Sequence, residues 1–154
     1  MAAQRLVIGR RLLQRILEHC LEEKPVEACG ILAGRDGQVR AVFATDNARN
    51  SPIFFEVERE QQEEALRRIA VQGHELVGIY HSHPTAPAAP SSYDVEQAVH
   101  YPDAIRLIIS LNGPASIGAY RICGERVEEV PLFIGDGPGG EFFDLRARWR
   151  QRRT

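Results

Sequence analysis

His81-Ser82-His83-Pro84-Thr85-Ala86-Pro87-Ala88-Ala89-Pro90-Ser91-Ser92-Tyr93-Asp94 follows directly on the apolar run Leu76-Val77-Gly78-Ile79-Tyr80. The run has the make-up of a buried strand, and alternate side chains of a strand project to one face. His81 and His83 therefore point the same way, with Cα atoms roughly 7 Å apart. Two imidazoles at that spacing can close on a single ion at the roughly 2.0–2.1 Å that zinc prefers. Pro84 removes a backbone donor and ends the strand, so the histidines sit at its carboxyl end. The proline- and alanine-rich loop that follows is stiff, and Ser91 to Asp94 read as a helix start with Ser91 as N-cap. Two histidines and a carboxylate leave the fourth corner of a tetrahedron for water, the mark of a catalytic rather than a structural zinc site. Singly, His-x-His and a Ser-x-x-Asp cap are ordinary features. Strand, histidine pair, proline, rigid loop and capped helix in this order form one geometry, and together they favour a metal site.

Outward from this stretch, Leu6 to Ile8 could form a first strand, and residues 10 to 23 carry Leu12, Leu13, Ile16, Leu17, Cys20 and Leu21 at helical spacing. Pro25 ends that helix. Ala28 to Ala33 and Val39 to Ala44 read as strands joined at Asp36-Gly37, a tight hairpin signal. A short strand is expected around Ile53 to Val57, then a charged helix over Glu58 to Gln72 with Ala65, Leu66, Ile69 and Ala70 inside, stopped by Gly73. Beyond Asp94 the helix runs to about Val99. Ile105 to Leu111 is apolar throughout, as in a central strand. Ile117 to Cys123 and Val127 to Phe133 complete the strands. The sum is an α/β (α+β) fold, a mixed sheet flanked by helices. Residues 1–134 form the domain; 135–140 read as a glycine-rich linker, and 141–154 as a basic, aromatic tail outside the core.

His81, His83, the seven-residue gap, Ser91 and Asp94 resemble the motif of the JAMM (MPN-plus) metalloprotease family, without insertion. Glu27, in Glu27-Ala28-Cys29-Gly30-Ile31-Leu32-Ala33-Gly34, fits the family's upstream glutamate, and the likeness extends through Asn47 to Phe54 and Tyr120-Arg121-Ile122. The resemblance implies the MPN/JAMM (cytidine-deaminase-like) fold and one Zn2+ per chain on His81, His83 and Asp94. It implies that Glu27 takes the proton of the metal-bound water and passes it to the leaving amine, and that Ser91 hydrogen-bonds the oxyanion. The short span from Glu27 to His81 is similar to the compact prokaryotic members, which process ubiquitin-like sulfur carriers. The expected reaction is thus hydrolysis after the carrier's C-terminal Gly-Gly, including release of cysteine from a carrier–cysteine adduct.

The chain of 154 residues, 44% hydrophobic and 26% charged, suits one globular domain. A net charge of −2 makes nucleic acid an unlikely partner. No run is long enough to cross a membrane, and three cysteines without a signal segment suit a reducing cytoplasm. Two other readings stand beside the peptidase. A carrier-binding scaffold would have lost a ligand, and none is lost. A nucleic-acid role like that of RadC-type proteins, which share the histidine motif, is supported only by the tail. That tail holds five arginines among Phe142, Phe143, Leu145 and Trp149. As a helix it would offer an aromatic side to a partner or to a second copy of the chain in a homodimer; a frayed basic terminus is the plainer reading. His19, His74 and His100 read as surface or helix-end histidines. Cys20 and Cys123 read as packing residues, and Cys29 as a core thiol near Glu27.

Overall fold

The computed structural model describes residues 3–135 and 139–147. Strand β1 (Leu6–Gly9) leads directly into helix α1 (Arg10–Glu23), whose Leu12, Leu13, Ile16 and Cys20 are buried. Leu21, one position round from Cys20, is 60% exposed and falls off the stripe. Strands β2 (Cys29–Arg35) and β3 (Gln38–Thr45) form the expected hairpin. Asp36 and Gly37 take φ of 52° and 78°, the left-handed pair that a two-residue turn requires.

The strand expected near Ile53 to Val57 does not form; Val57 makes one isolated bridge to Asn47. Side chains hold this loop instead. Ser51 Oγ accepts from the backbone N–H groups of Ile53 and Phe54, and Asn47 Nδ2 donates to the Phe54 carbonyl. Polar groups that a strand would have paired are already taken. Helix α2 (Arg59–Val71) follows, capped by the Glu58 side chain, with Gln61, Ala65 and Ile69 buried and Ala70 exposed.

Strand β4 (Glu75–His83) is succeeded by helix α3 (Ser92–Gln97), a 3₁₀ turn (Ala98–His100) and strand β5 (Ile105–Ser110), which is buried throughout. Strands β6 (Ser116–Cys123), β7 (Arg126–Glu129), β8 (Leu132–Gly135) and β9 (Glu141–Asp144) complete the described elements. The sheet runs β7-β6-β5-β4-β2-β3-β1-β8, with β4 and β5 parallel and β2 antiparallel to both its neighbours. The expected mixed sheet is therefore present.

The last strand, expected to run unbroken to Phe133, is divided at Val130-Pro131. Val130 donates to the carbonyl of Ala119 in β6, while the Pro131 carbonyl accepts from Leu6 at the head of β1. Residues 126–135 thus border both ends of the sheet, which must curl until its edges meet at adjacent residues. Pro131, having no N–H, sits where pairing passes from one edge to the other.

Helix α1 fills the concave side of the curl, where Leu12, Ile16 and Cys20 pack with Leu32, Val42, Tyr80, Leu107 and Ile109. On the opposite side Ala65 and Ile69 of α2 pack with Ile31, Phe43 and Leu145. Gly30 has no side chain because a Cβ there would lie 2.3 Å from the Tyr80 ring. The ring, laid across Gly30, brings its hydroxyl to His19 Nδ1 at 2.8 Å. His19 is thus a buried core residue rather than a surface one, and Cys123, read as packing, is exposed.

For residues 141–147, the described part of the segment 141–154, the reading as a tail outside the core needs correction. Strand β9 pairs in parallel with β3, aligning Phe143 with Phe43, and the two rings stack at 5.0 Å. Leu145 and Arg146 are buried. Arg146 binds Asp144 at 2.7 Å and reaches Glu22 and Glu23 of α1 at 3.7 and 3.8 Å. The domain therefore runs through at least Arg146. Trp149 and the arginines from 148 onward lie outside the described residues. No helix among the described residues is long and apolar enough to cross a membrane.

Candidate metal centre

His81 and His83 share one face at the end of β4, and Asp94 meets them from the first turn of α3. The His81 Nε2 to His83 Nε2 distance is 3.1 Å; Asp94 Oδ2 lies 3.2 Å from the first and 3.1 Å from the second. Four ligands held tetrahedrally at 2.0–2.1 Å stand about 3.3–3.4 Å apart, so this triangle has the size of one face of a zinc tetrahedron. The three atoms lie at hydrogen-bond distance from one another, and a cation among them would take the place of the shared protons. The donor set, two imidazoles and one carboxylate, suits zinc.

The surroundings fix each ligand. His83 Nδ1 lies 2.7 Å from the Pro87 carbonyl, which can only accept, so that nitrogen carries a proton and Nε2 is the atom turned to Asp94. The loop supplying that carbonyl is pinned on both sides: Ser110 Oγ donates to Ala86 and the Tyr120 hydroxyl to Ala88. His81 stacks on Phe55, ring centroids 4.3 Å apart. Asp94 and Ser91 form a reciprocal cap: Ser91 N–H donates to Asp94 Oδ2 at 2.9 Å and Ser91 Oγ accepts from Asp94 N–H at 3.1 Å. Burial works against the Asp94 charge, but hydrogen bonds from both histidines hold its carboxyl well below the usual range. Burial lowers His81, whereas at His83 the bonds to Asp94 and Pro87 overcome burial and raise it.

Glu27 approaches this cluster from the residue before Ala28, just ahead of β2. It is 3% exposed, and its Oε1 has no hydrogen-bond partner. Burial pushes its carboxyl up to about 8; the charge of His83 opposes the shift and that of Asp94 adds to it. Ser82, between the two histidines, faces the other way and joins this segment to β4. Its Oγ accepts from Ala28 N–H at 2.8 Å, and its own N–H donates to the Ala28 carbonyl at 3.0 Å. Asn47 Nδ2 holds the Glu27 carbonyl at 3.0 Å, and its Oδ1 accepts from the N–H groups of Arg49 and Glu56.

The structure thus gathers Glu27, His81, His83, Ser91 and Asp94 into one place. Asn47, Phe55 and Arg106 surround them without having been singled out as site residues. An asparagine heading a polar loop and a Phe-Phe pair within it were the available signals for two of these; an arginine within the apolar strand Ile105–Ser110 was the signal for the third. Cys29 pairs with His81 across the sheet, and its Sγ lies 3.5 Å from both Thr45 Oγ1 and the Asp46 carbonyl. Burial raises its thiol to about 12, which favours the protonated form over a nucleophilic thiolate.

A curled mixed sheet with a His-x-His pair closing on a helix-start aspartate defines a metalloenzyme-like domain. Residues 9–122 match the family profile described as prokaryotic homologs of the JAB domain, and the chain belongs to this family, in agreement with the JAMM resemblance. It is 34% identical over 133 residues to the CysO-cysteine peptidase of Mycobacterium tuberculosis, covering 84% of this chain and 90% of that protein. It is 36% identical over 108 residues to the desampylase of Pyrococcus furiosus, covering 70% and 76%. A solution structure of a Desulfitobacterium hafniense protein superposes with a TM-score of 0.78 at 30% identity, covering 86% of this chain and 94% of the other.

Proposed function

We propose that this chain is a zinc-dependent peptidase that hydrolyses the peptide or isopeptide bond after the C-terminal Gly-Gly of a ubiquitin-like sulfur-carrier protein, releasing cysteine where the carrier bears it. The names of the mycobacterial and archaeal relatives support the substrate class. His81, His83 and Asp94 would hold one zinc. Zinc at that place supplies a Lewis acid for the scissile carbonyl and lowers the pKa of water to about 7.

The observation that carries this reading is Glu27: a buried carboxyl with an unpartnered oxygen, set against the three-ligand cluster. It is the base that takes the proton of the attacking water and later gives it to the leaving amine. Burial alone favours its neutral form, and a cation among the three ligands would favour the charged carboxylate that a base requires. Ser91 Oγ spends a lone pair on Asp94 N–H, leaving its own proton for the developing oxyanion. One such donor is worth on the order of 3 kcal/mol of barrier. Cys20, Cys29 and Cys123 are all unpaired, which supports a reducing cytoplasm as the place of work.

The test is hydrolysis of a synthetic peptide carrying Gly-Gly before the scissile bond. The expected outcome is cleavage at that bond, abolished by a chelator, restored by zinc and indifferent to thiol alkylation. Cleavage that survives complete removal of metal would overturn the proposal.

A further inference from the structure

The two histidines of the cluster are held by different means. His83 has the Pro87 carbonyl at its Nδ1. His81 is 1% exposed, and among the described residues its buried Nδ1 has no hydrogen-bond partner. An imidazole that binds a cation through Nε2 carries its proton on Nδ1. Metal-binding histidines ordinarily donate that proton to a carboxylate, a carbonyl or a water, which fixes the orientation of the ring. At His81 no such acceptor is in place.

What lies against the ring is Phe55. The two rings stack with centroids 4.3 Å apart and planes 20° from parallel. Contact across a whole face resists the tilting that would swing Nε2 out of the cluster. The phenyl face also carries partial negative charge, so it favours an imidazole polarised by a cation over a neutral one. Phe55, His81 and Asp94 together border a cavity of about 400 Å³. Without the phenyl ring the imidazole would face a larger open space.

Phe55 is itself tied down. Its carbonyl accepts from the Tyr93 hydroxyl at 2.6 Å, and the Tyr93 ring packs on Phe54 at 4.8 Å and edge-on against Phe55 at 6.4 Å. Tyr93 immediately precedes Asp94, so the first turn of α3 supplies one candidate ligand and also anchors the support of another. Asn47 Nδ2, which holds the Glu27 carbonyl, donates to the carbonyl of Phe54 as well. The loop of Asn47 to Val57 therefore bears on His81 through Phe55 and on the backbone of Glu27 through Asn47.

We propose that Phe55 is a positioning residue that acts through His81. Stacking takes the place of a hydrogen bond at Nδ1, keeps Nε2 directed at the metal and tightens zinc binding. The inference rests on the zinc reading of the site given above and concerns how firmly the centre holds its metal.

The test is the zinc affinity of the full-length protein, read by competition with a chromophoric chelator, with the urea midpoint of each metal-free variant showing that it is folded. Phe55→Ala should bind zinc on the order of 10-fold more weakly than the wild type. Phe55→Tyr, which keeps a stacking face, should bind like the wild type. Phe55→Leu, which keeps apolar bulk without a π face, should not. Wild-type affinity in Phe55→Ala overturns the inference and leaves the hydrolase reading intact. Affinity restored as fully by leucine as by tyrosine shows that bulk alone is needed and overturns the stacking role. A wild type that takes up no zinc overturns the zinc reading and the inference with it. If Phe55→Ala fails to fold, the comparison of Phe55→Leu with Phe55→Tyr decides: weaker binding by the leucine variant is expected, and equal binding is the contrary result.

Discussion

Glu27 shows at the scale of one residue how burial and chemistry are linked. Its carboxyl gives up hydration and receives no hydrogen bond at Oε1, so the neutral form is favoured up to about pH 8, against 4.5 for an ordinary glutamate. In the metal-free protein the native state therefore keeps a proton that the unfolded chain releases between those two values. Rising pH then favours the unfolded state across that window. Glu27→Gln has nothing to titrate there. Metal-free wild type should accordingly lose stability relative to the variant from pH 5 to pH 8, read from urea midpoints. A difference that is the same at both pH values would show that Glu27 ionises normally. A cation among His81, His83 and Asp94 would reverse the preference by stabilising the charged carboxylate, so the experiment requires a chelator.

At the scale of elements, legibility followed the range of the interactions. Helix α1, the Asp36-Gly37 hairpin, the buried strand β5 and the His-Ser-His strand end are written in local periodicity and turn chemistry, and all formed as read. That His81, His83 and Asp94 come together was legible because strand alternation and a helix cap fix their geometry within fourteen residues, His81 to Asp94. Long-range pairings were not legible. Nothing local in Glu141-Phe142-Phe143-Asp144 says that it adds to β3, a hundred residues earlier, and its basic surroundings suggested a frayed end. His19 looked like a surface residue because its partner, the Tyr80 hydroxyl, comes from another element. Arg106 was hidden within an apolar strand, because the carbonyls it binds, those of Ala98 and Tyr101, belong to another element and its end. The correction to the C-terminal segment has a measurable consequence. Arg146→Ala would leave the partly buried Asp144 without the cation that lies 2.7 Å from it. Breaking such a pair from one side costs about 3 kcal/mol, which urea denaturation should register as a lower midpoint. A change near zero would mean that the segment contributes little to the domain.

For the whole molecule, the curl of the sheet determines where chemistry can occur. Its two ends meet at Val130-Pro131, α1 fills the concavity, and α2 covers the other side. That arrangement leaves the carboxyl ends of β4 and β5 open beside α3, with the loop of Asn47 to Val57 on the near side. His81, His83, Asp94, Glu27 and the cavity all lie at this open end, on elements whose other sides are buried, and each of the three candidate ligands is held by a backbone carbonyl, a stacked ring or a helix cap. One comparison tests the proposed centre most directly: zinc stoichiometry and peptide turnover of Glu27→Gln, His83→Ala and the wild type, measured on the same preparations. Wild type and Glu27→Gln should each hold about one zinc per chain, with turnover in the latter falling about 10²–10⁴-fold, while His83→Ala should hold little zinc and be inactive. Glu27→Gln turning over at the wild-type rate, or His83→Ala retaining full zinc, would contradict the assignment of base and ligands.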